Sequence, residues 1–310
     1  MNLALHAFRD DAAEAQRLAD ALEVPLAFVE VHTFPDGETA PRIPEPARTT
    51  IVYRSLRRPN EKLVELLLAA DAWRRNGVEH LVLVAPYLPY MRQDMSFRAG
   101  EPVSQRVVAG LLDSAFDSIV TVDPHLHRTS SLAELFPTCA SMHLQAAEAL
   151  VPYLRDHPLP AETLVIGPDM ESGPWVRMVA DPLRFDHATL HKIRRSDEAV
   201  EIEAPPGISF AGRPVLLVDD ICSTGGTLKK AIEILRRSGA GPITIFVTHM
   251  LADAPVISDL KQAGASCVIA TDSCPGPASA IHLADLIARS LQSALPLTGS
   301  AQTMVLPPRT

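Results

Sequence analysis

Cysteine is scarce in this chain: there are four in 310 residues (Cys139, Cys222, Cys267 and Cys274), with no paired CxxC spacing for zinc and no dense disulfide framework. Cysteines used this way read as reduced thiols, small apolar fillers in a cytoplasmic protein. Long apolar runs are missing too. No segment approaches the roughly 18 consecutive apolar residues of a membrane span, and Met1–Asp11 turns acidic too soon for a signal peptide. Positive charge is also in deficit. Lysine and arginine number 28 against 37 acidic residues, a net charge of −9, and they are scattered rather than massed. That argues against nucleic acid, whose binding needs a basic face to displace counterions from phosphates. A small anionic ligand stays compatible, because a local basic cluster can act inside an acidic protein.

Apolar residues make up 47% of the chain and charged residues 21%, a balance that supports a sizeable core. The length suits two domains of ordinary size or one large α/β domain. Short β-branched runs alternate with longer amphipathic stretches, which predicts mostly parallel sheets covered by helices. The candidate strands are Thr50–Tyr53, His80–Ala85, Ser118–Val122, Thr163–Ile166, Pro214–Val218, Ile243–Thr248 and Ser266–Ala270, with Phe28–Val31 strand-like as well. Glu61–Arg75 is the clearest helix, because Leu63, Leu66, Leu67, Ala70 and Trp73 fall on one face and Gly77 follows as a stop. Leu228–Arg237 is a second helix. A proline-bearing seam around Glu148–Ala161 predicts two α/β lobes, residues 1–147 and 148–282, with a loose tail over 295–310.

The densest chemistry lies after Pro214–Val218. Asp219-Asp220-Ile221-Cys222-Ser223-Thr224-Gly225-Gly226-Thr227 follows a buried-type strand and opens a helix. Ser223, Thr224 and Thr227 offer hydroxyls, while Gly225 and Gly226 let backbone N–H groups approach a phosphate at a helix N-terminus. Asp219 and Asp220 would repel a phosphate but suit the neighbouring hydroxyls of a ribose ring, which donate to a carboxylate. A tight turn with an acidic edge would not need all of these groups in nine residues. The pattern resembles the phosphoribosyl diphosphate motif of type I phosphoribosyltransferases and their relatives.

Further segments separate those relatives. Phe34-Pro35-Asp36-Gly37-Glu38 follows Phe28–Val31, Pro86–Asp94 follows His80–Ala85 with Gly100-Glu101-Pro102 close behind, and Asp123-Pro124-His125 follows Ser118–Val122. Gly167-Pro168-Asp169 follows Thr163–Ile166, and Lys192-Ile193-Arg194 lies in the next connection. Taken alone, Arg92 or Lys192 is a solvated surface charge, and His125, His127, His143 and His191 are loop histidines. In this order and spacing the set resembles ribose-phosphate diphosphokinase, the family that makes phosphoribosyl diphosphate, over nearly the whole chain.

The resemblance implies two phosphoribosyltransferase-like lobes with the catalytic site between them, and a C-terminal helix (about 283–293) returning to the first lobe. It implies ATP and ribose 5-phosphate as substrates, Mg²⁺ as cofactor, and a homo-oligomer, dimer or hexamer. Phe34, Asp36, Gly37 and Glu38 match the adenine-side loop, which in the family meets the ATP of a neighbouring subunit. Arg92 and Gln93 match a second ATP segment. His125 and Asp169 match the magnesium-associated pair, although histidine is an unusual partner for so hard an ion. Lys192 and Arg194 match the mobile catalytic loop. Asp219, Asp220 and Ser223–Thr227 match the ribose 5-phosphate site.

There are departures. Met170-Glu171-Ser172 stands where the family carries a glycine pair, placing Glu171 beside the expected metal site, and Met95-Ser96-Phe97 replaces basic residues. Ser96–Gly100 resembles the archaeal-type branch, so phosphate activation and ADP inhibition are not expected. Two other readings share features with this one: a phosphoribosyltransferase, which needs no ATP loop, and a catalytically silent subunit associated with a synthase, which would tend to lose Lys192 and Arg194.

Overall fold

The computed structural model describes residues 3–126, 128–129, 131–194, 200–203 and 207–294. The predicted tail and His127 lie outside them. The chain divides into two compact units, Met1–Leu144 with Leu283–Thr310, and Gln145–His282. Each is a mostly parallel sheet flanked by helices.

The first unit runs β1 (Leu3–Phe8), α1 (Ala12–Leu22), β2 (Leu26–Thr33), β3 (Thr39–Arg42), β4 (Thr49–Tyr53), α2 (Pro59–Arg75), β5 (His80–Val84), α3 (Ser104–Ala115), β6 (Ser118–Val122) and β7 (Ala140–Leu144). Its sheet order is β3-β2-β1-β4-β5-β6-β7, with only the β2–β3 pair antiparallel. The sequence reading assigns no strand to Leu3–Phe8, yet β1 pairs with both β2 and β4 at the sheet's interior. Leu-Ala-Leu-His-Ala-Phe has no β-branched residue, so local preference is silent and burial between two partners makes the strand. Helix α2 starts with Pro59 at its first turn, where a missing N–H costs nothing. It buries Leu63, Leu66, Ala70 and Trp73 on one face, and fully burying a side chain such as Leu66 contributes about 1.5–3 kcal/mol.

Trp73 reaches the centre of that core, where its Nε1–H donates to Nδ1 of His6 at 2.9 Å. His6 is 1% exposed and also bonds the Glu45 backbone, and burial lowers its pKa from 6.5 to about 4. The folded state therefore keeps the ring neutral while the unfolded chain takes a proton below pH 6.5. Stability is fully present above that value and is lost as pH falls toward 4, by up to ~3 kcal/mol. His6→Gln keeps a donor and an acceptor without the titration. Denaturant melts at pH 7 and pH 4.5 should show a smaller acid loss in the variant than in the parent, and equal losses would refute the assignment.

The second unit runs α4 (Ala147–Asp156), β8 (Leu164–Gly167), α5 (Gly173–Leu183), β9 (Asp186–Thr189), β10 (His191–Arg194), β11 (Val200–Glu203), β12 (Val215–Cys222), α6 (Gly226–Arg237), β13 (Ile243–Met250), α7 (Ala254–Ala263), β14 (Ala265–Thr271) and β15 (Ser279–Ile281). Its parallel sheet is ordered β15-β14-β13-β12-β8-β9, while β10 and β11 form a separate antiparallel ribbon. The proline-bearing stretch 148–161 begins as helix, with Pro152 inside α4. Helix α8 (Ala284–Ala294) belongs to the first unit, where it lies along α1.

Both sheets reverse direction once. In the first unit the chain leaves β1 for β2 on one side and returns at β4 on the other. In the second it leaves β8 for β9 and returns at β12. Open α/β sheets place ligands outside the carboxyl ends of the strands at such reversals.

Candidate functional site

The reversal between β8 and β12 holds the acid-and-glycine segment. The predicted strand stops at Val218, but β12 continues to Cys222 because β13 pairs with it to the end (Ile221↔His249, Cys222↔Met250). Asp219 and Asp220 are therefore strand residues, fixed by the ladder rather than carried on a loop. Helix α6 begins at Gly226, two residues before the predicted start, and Gly225 is its N-cap. The cradle is thus Ser223–Gly225, closed by the free N–H groups of the first turn of α6.

Gly225 is needed twice over. Its φ is +74°, and a Cβ there would sit 2.8 Å from Cγ1 of Val256 on α7. Thr224, Gly226 and Thr227 are exposed, and Ser223 is partly buried. Oδ1 of Asp219 accepts from the Asp220 backbone at 3.1 Å. Burial, then the neighbouring charges of Asp220 and Asp169, hold the Asp219 carboxyl well above the usual range. Cys222 beneath them is pushed up to about 11 by burial and by Asp219, which makes it an inert thiol.

Asp169 closes the opposite side. It caps the 3-10 turn Met170–Ser172 by accepting from the Glu171 and Ser172 backbones at 3.1 and 3.2 Å through Oδ1. The Ser172 hydroxyl returns a bond to the Asp169 carbonyl at 2.5 Å. Gly167 makes room for this: a Cβ there would lie 2.0 Å from the Ser172 Oγ. Glu171 and Met170 point outward as exposed residues. The Met170–Ser172 departure therefore builds a rigid capped turn that fixes one oxygen of Asp169. Behind the crevice, Thr271 and Ser273 hydroxyls donate to the Thr248 carbonyl at 2.6 and 2.9 Å, and Ser273 contacts Nδ1 of His249 at 2.8 Å.

The ATP-type residues all lie in the first unit and fall into two groups. Arg92, Gln93 and His125 sit in the loops after the adjacent strands β5 and β6. Phe34–Glu38 forms the tip of the β2–β3 hairpin, turned by Gly37 N–H to the Phe34 carbonyl at 2.9 Å and Glu38 N–H to Oδ1 of Asp36 at 3.1 Å. Strand β2 stands three positions from β5 in the sheet, about 14 Å at ordinary strand spacing. It also runs four residues beyond its last partner on β1. Within one chain the hairpin tip and Arg92 are not brought together. Phe34 is 43% exposed and packs edge-on against His32.

Sequence reasoning missed the strain along this edge. Arg58, Tyr90 and Asp123 have φ of +54°, +65° and +35°, and they follow three adjacent strands, β4, β5 and β6. Left-handed non-glycine residues of this kind cluster at functional sites. It also missed the cluster at the β1/β4 reversal. Arg54, 3% exposed, pairs with Asp10, with Asp11 at 3.4 Å and with Glu65 at 2.5 Å, and lies 3.9 Å from the Phe8 ring. Lys62 joins it from Asp10 at 2.8 Å. This crevice is filled by the chain's own charges, whereas the one at β8/β12 gathers the carboxyls of Asp169, Asp219 and Asp220. Asp10-Asp11 and Arg54 standing directly after buried strands was the available signal. Burial pushes Asp11 up to about 7, so it gains stability on acidification, opposite in sign to His6. The His6 test is for that reason a difference between variants.

Lys192 and Arg194 lie on β10, opposite Ile202 and Val200 of β11. Among the described residues no group of three or more His, Cys, Asp or Glu side chains is arranged to hold a metal ion.

The second unit, with its cradle, defines the class: residues 153–269 match the phosphoribosyl transferase domain. Residues 3–115 match the N-terminal domain of ribose phosphate pyrophosphokinase. A ribose-phosphate pyrophosphokinase of Methanopyrus kandleri is 38% identical over 280 residues, covering 90% of this chain and 94% of its own. Proteins of the same name from Pyrococcus furiosus and Corynebacterium efficiens are 35% and 31% identical, covering 84% and 94% of this chain and 91% and 92% of theirs. A crystal structure of phosphoribosylpyrophosphate synthetase from Mycobacterium smegmatis superposes with a TM-score of 0.82 at 30% identity, covering 94% of this chain and 98% of that one. The chain belongs to the ribose-phosphate pyrophosphokinase family, with archaeal-type relatives among its matches.

Proposed function

We propose that the protein transfers the diphosphoryl group of Mg-ATP to the 1-hydroxyl of ribose 5-phosphate, giving 5-phosphoribosyl 1-diphosphate and AMP. The observation that carries this reading is the β8/β12 crevice, where paired strand-end acids face a helix-opening cradle in a chain of this family. Gly225, Gly226, Thr227 and the Ser223 and Thr224 hydroxyls hold the 5-phosphate. Asp219 and Asp220 accept from the ring hydroxyls. The O1–H oxygen attacks the β-phosphorus, the bond from that phosphorus to the α–β bridging oxygen breaks, AMP departs, and the hydroxyl proton is released. Arg92, Gln93 and His125 bind nucleotide, and Lys192 and Arg194 meet the charge spread over the transferring group.

Asp169, Asp219 and Asp220 concentrate negative charge that a divalent cation would relieve, which is the fit this crevice offers to magnesium. Asp169 would hold it on the protein side, with His125 acting through nucleotide oxygens. With no cage of protein ligands among the described residues, substrate oxygens and water would complete the shell, as magnesium commonly requires. When bound, the ion supplies charge neutralisation between two anionic substrates.

The separation of Phe34–Glu38 from Arg92 supports a homo-oligomer in which Asp36, Gly37 and Glu38 serve the nucleotide of a neighbouring copy. No described helix is long and apolar enough to cross a membrane, and four cysteines held as thiols rather than disulfides fit a reducing, cytoplasmic setting. AMP release from ATP and Mg²⁺, measured with and without ribose 5-phosphate, tests the reading. Sugar-dependent AMP is expected. Ligand binding with no AMP under any donor would instead assign a silent subunit.

A further inference from the structure

Gln105 stands at the start of α3 and is 2% exposed. Both ends of its amide leave the helix. Its Nε2 donates to the Met91 carbonyl at 3.2 Å, and its Oε1 accepts from the Thr129 hydroxyl at 3.4 Å. Its own backbone N–H donates to the Gln93 carbonyl at 3.2 Å, and the neighbouring Ser104 hydroxyl donates to Oε1 of Gln93 at 2.6 Å. The loops it touches are the one after β5, with Arg92 and Gln93, and the one after β6, with His125. Arg128 adds a parallel strap to Asp94 at 3.4 Å. The β5 loop is itself held away from relaxed backbone at Tyr90, whose hydroxyl donates to Asn60 at the head of α2.

We propose that Gln105 is a positioning residue for the nucleotide: its buried amide ties the β5 loop to the β6 loop, so that Arg92 and His125 keep one spacing for a triphosphate. This rests on the assignment of those loops to ATP. A side chain serving only the core would bond its own helix or a single neighbour. This amide instead spans two segments, beside the Arg128–Asp94 strap.

Gln105→Leu removes both links and Thr129→Val removes one. The expected result is a KM for ATP raised about tenfold in the first and about threefold in the second, a size typical of a lost buried hydrogen bond. The double variant should be no worse than Gln105→Leu, because one tie is broken in both. The KM for ribose 5-phosphate and kcat at saturating ATP should stay within twofold. If Gln105→Leu does not fold, Thr129→Val and Ser104→Ala carry the test. Equal losses toward both substrates, or an unchanged KM for ATP, overturn the proposal. Equilibrium titration with a non-hydrolysable ATP analogue separates the two readings: a wild type that forms no AMP sinks the synthase, while weaker analogue binding by the variants still supports Gln105. An active wild type with unaltered variants sinks Gln105 alone.

Discussion

Lys192→Ala is expected to lower kcat by roughly 10³-fold, the scale on which cationic groups act at a transferring phosphoryl group, while the KM for ribose 5-phosphate moves less than threefold. The reasoning is electrostatic. Two polyanionic substrates must meet, and charge on the equatorial oxygens grows only as the β-phosphorus is attacked. A lysine placed for that moment lowers the barrier without adding to ground-state binding. The position of Lys192 on a ribbon outside the main sheet suits this role, because such an element can approach after substrates bind without deforming the cradle. Pre-steady-state AMP formation reads the chemical step directly. A parallel rise in KM and fall in kcat would make Lys192 a general anion contact instead.

The second large effect is expected at Gly225. Gly225→Ala places a Cβ 2.8 Å from Val256 in a backbone at φ +74°. The left-handed conformation alone costs an L-residue about 1–2 kcal/mol, and the contact adds to it. The turn must shift, and with it the N–H groups that open α6. The KM for ribose 5-phosphate should rise about 100-fold, the loss of two or so charge-assisted bonds, with the KM for ATP nearly unchanged. Adding Val256→Ala relieves the contact but not the φ, so recovery should be partial. Full recovery would show that crowding, not backbone conformation, governs the cradle. An unchanged KM for ribose 5-phosphate in folded Gly225→Ala would show that the cradle is not the phosphate site.

These two positions also mark what could be read before the fold was known. The strand–turn–helix of the cradle was legible because its chemistry is local: acids, hydroxyls and glycines within nine residues imply it without any distant partner. The interior strands Ser118–Val122 and His80–Val84 were legible for a similar reason, since β-branched apolar runs declare themselves one residue at a time.

Where the outcome depends on a neighbour, the sequence is silent. Strand β1 has no β-branched residue and exists because β2 and β4 flank it. Strand β12 outlasts its apolar run because β13 goes on pairing, which turns Asp219 and Asp220 from loop acids into fixed ones. Pro152, one of the prolines that marked the seam, sits inside α4. The Arg54 cluster joins residues 44 apart in sequence, and the Gln105 amide reaches 14 residues back and 24 forward. The sequence by itself determined the family and the order of the motifs, because those reside in short segments. Only the tertiary structure decided which of two similar sheet reversals carries the glycine turn and helix N-terminus and which is filled by the chain's own charges, because that depends on what strands far apart in sequence bring to one edge.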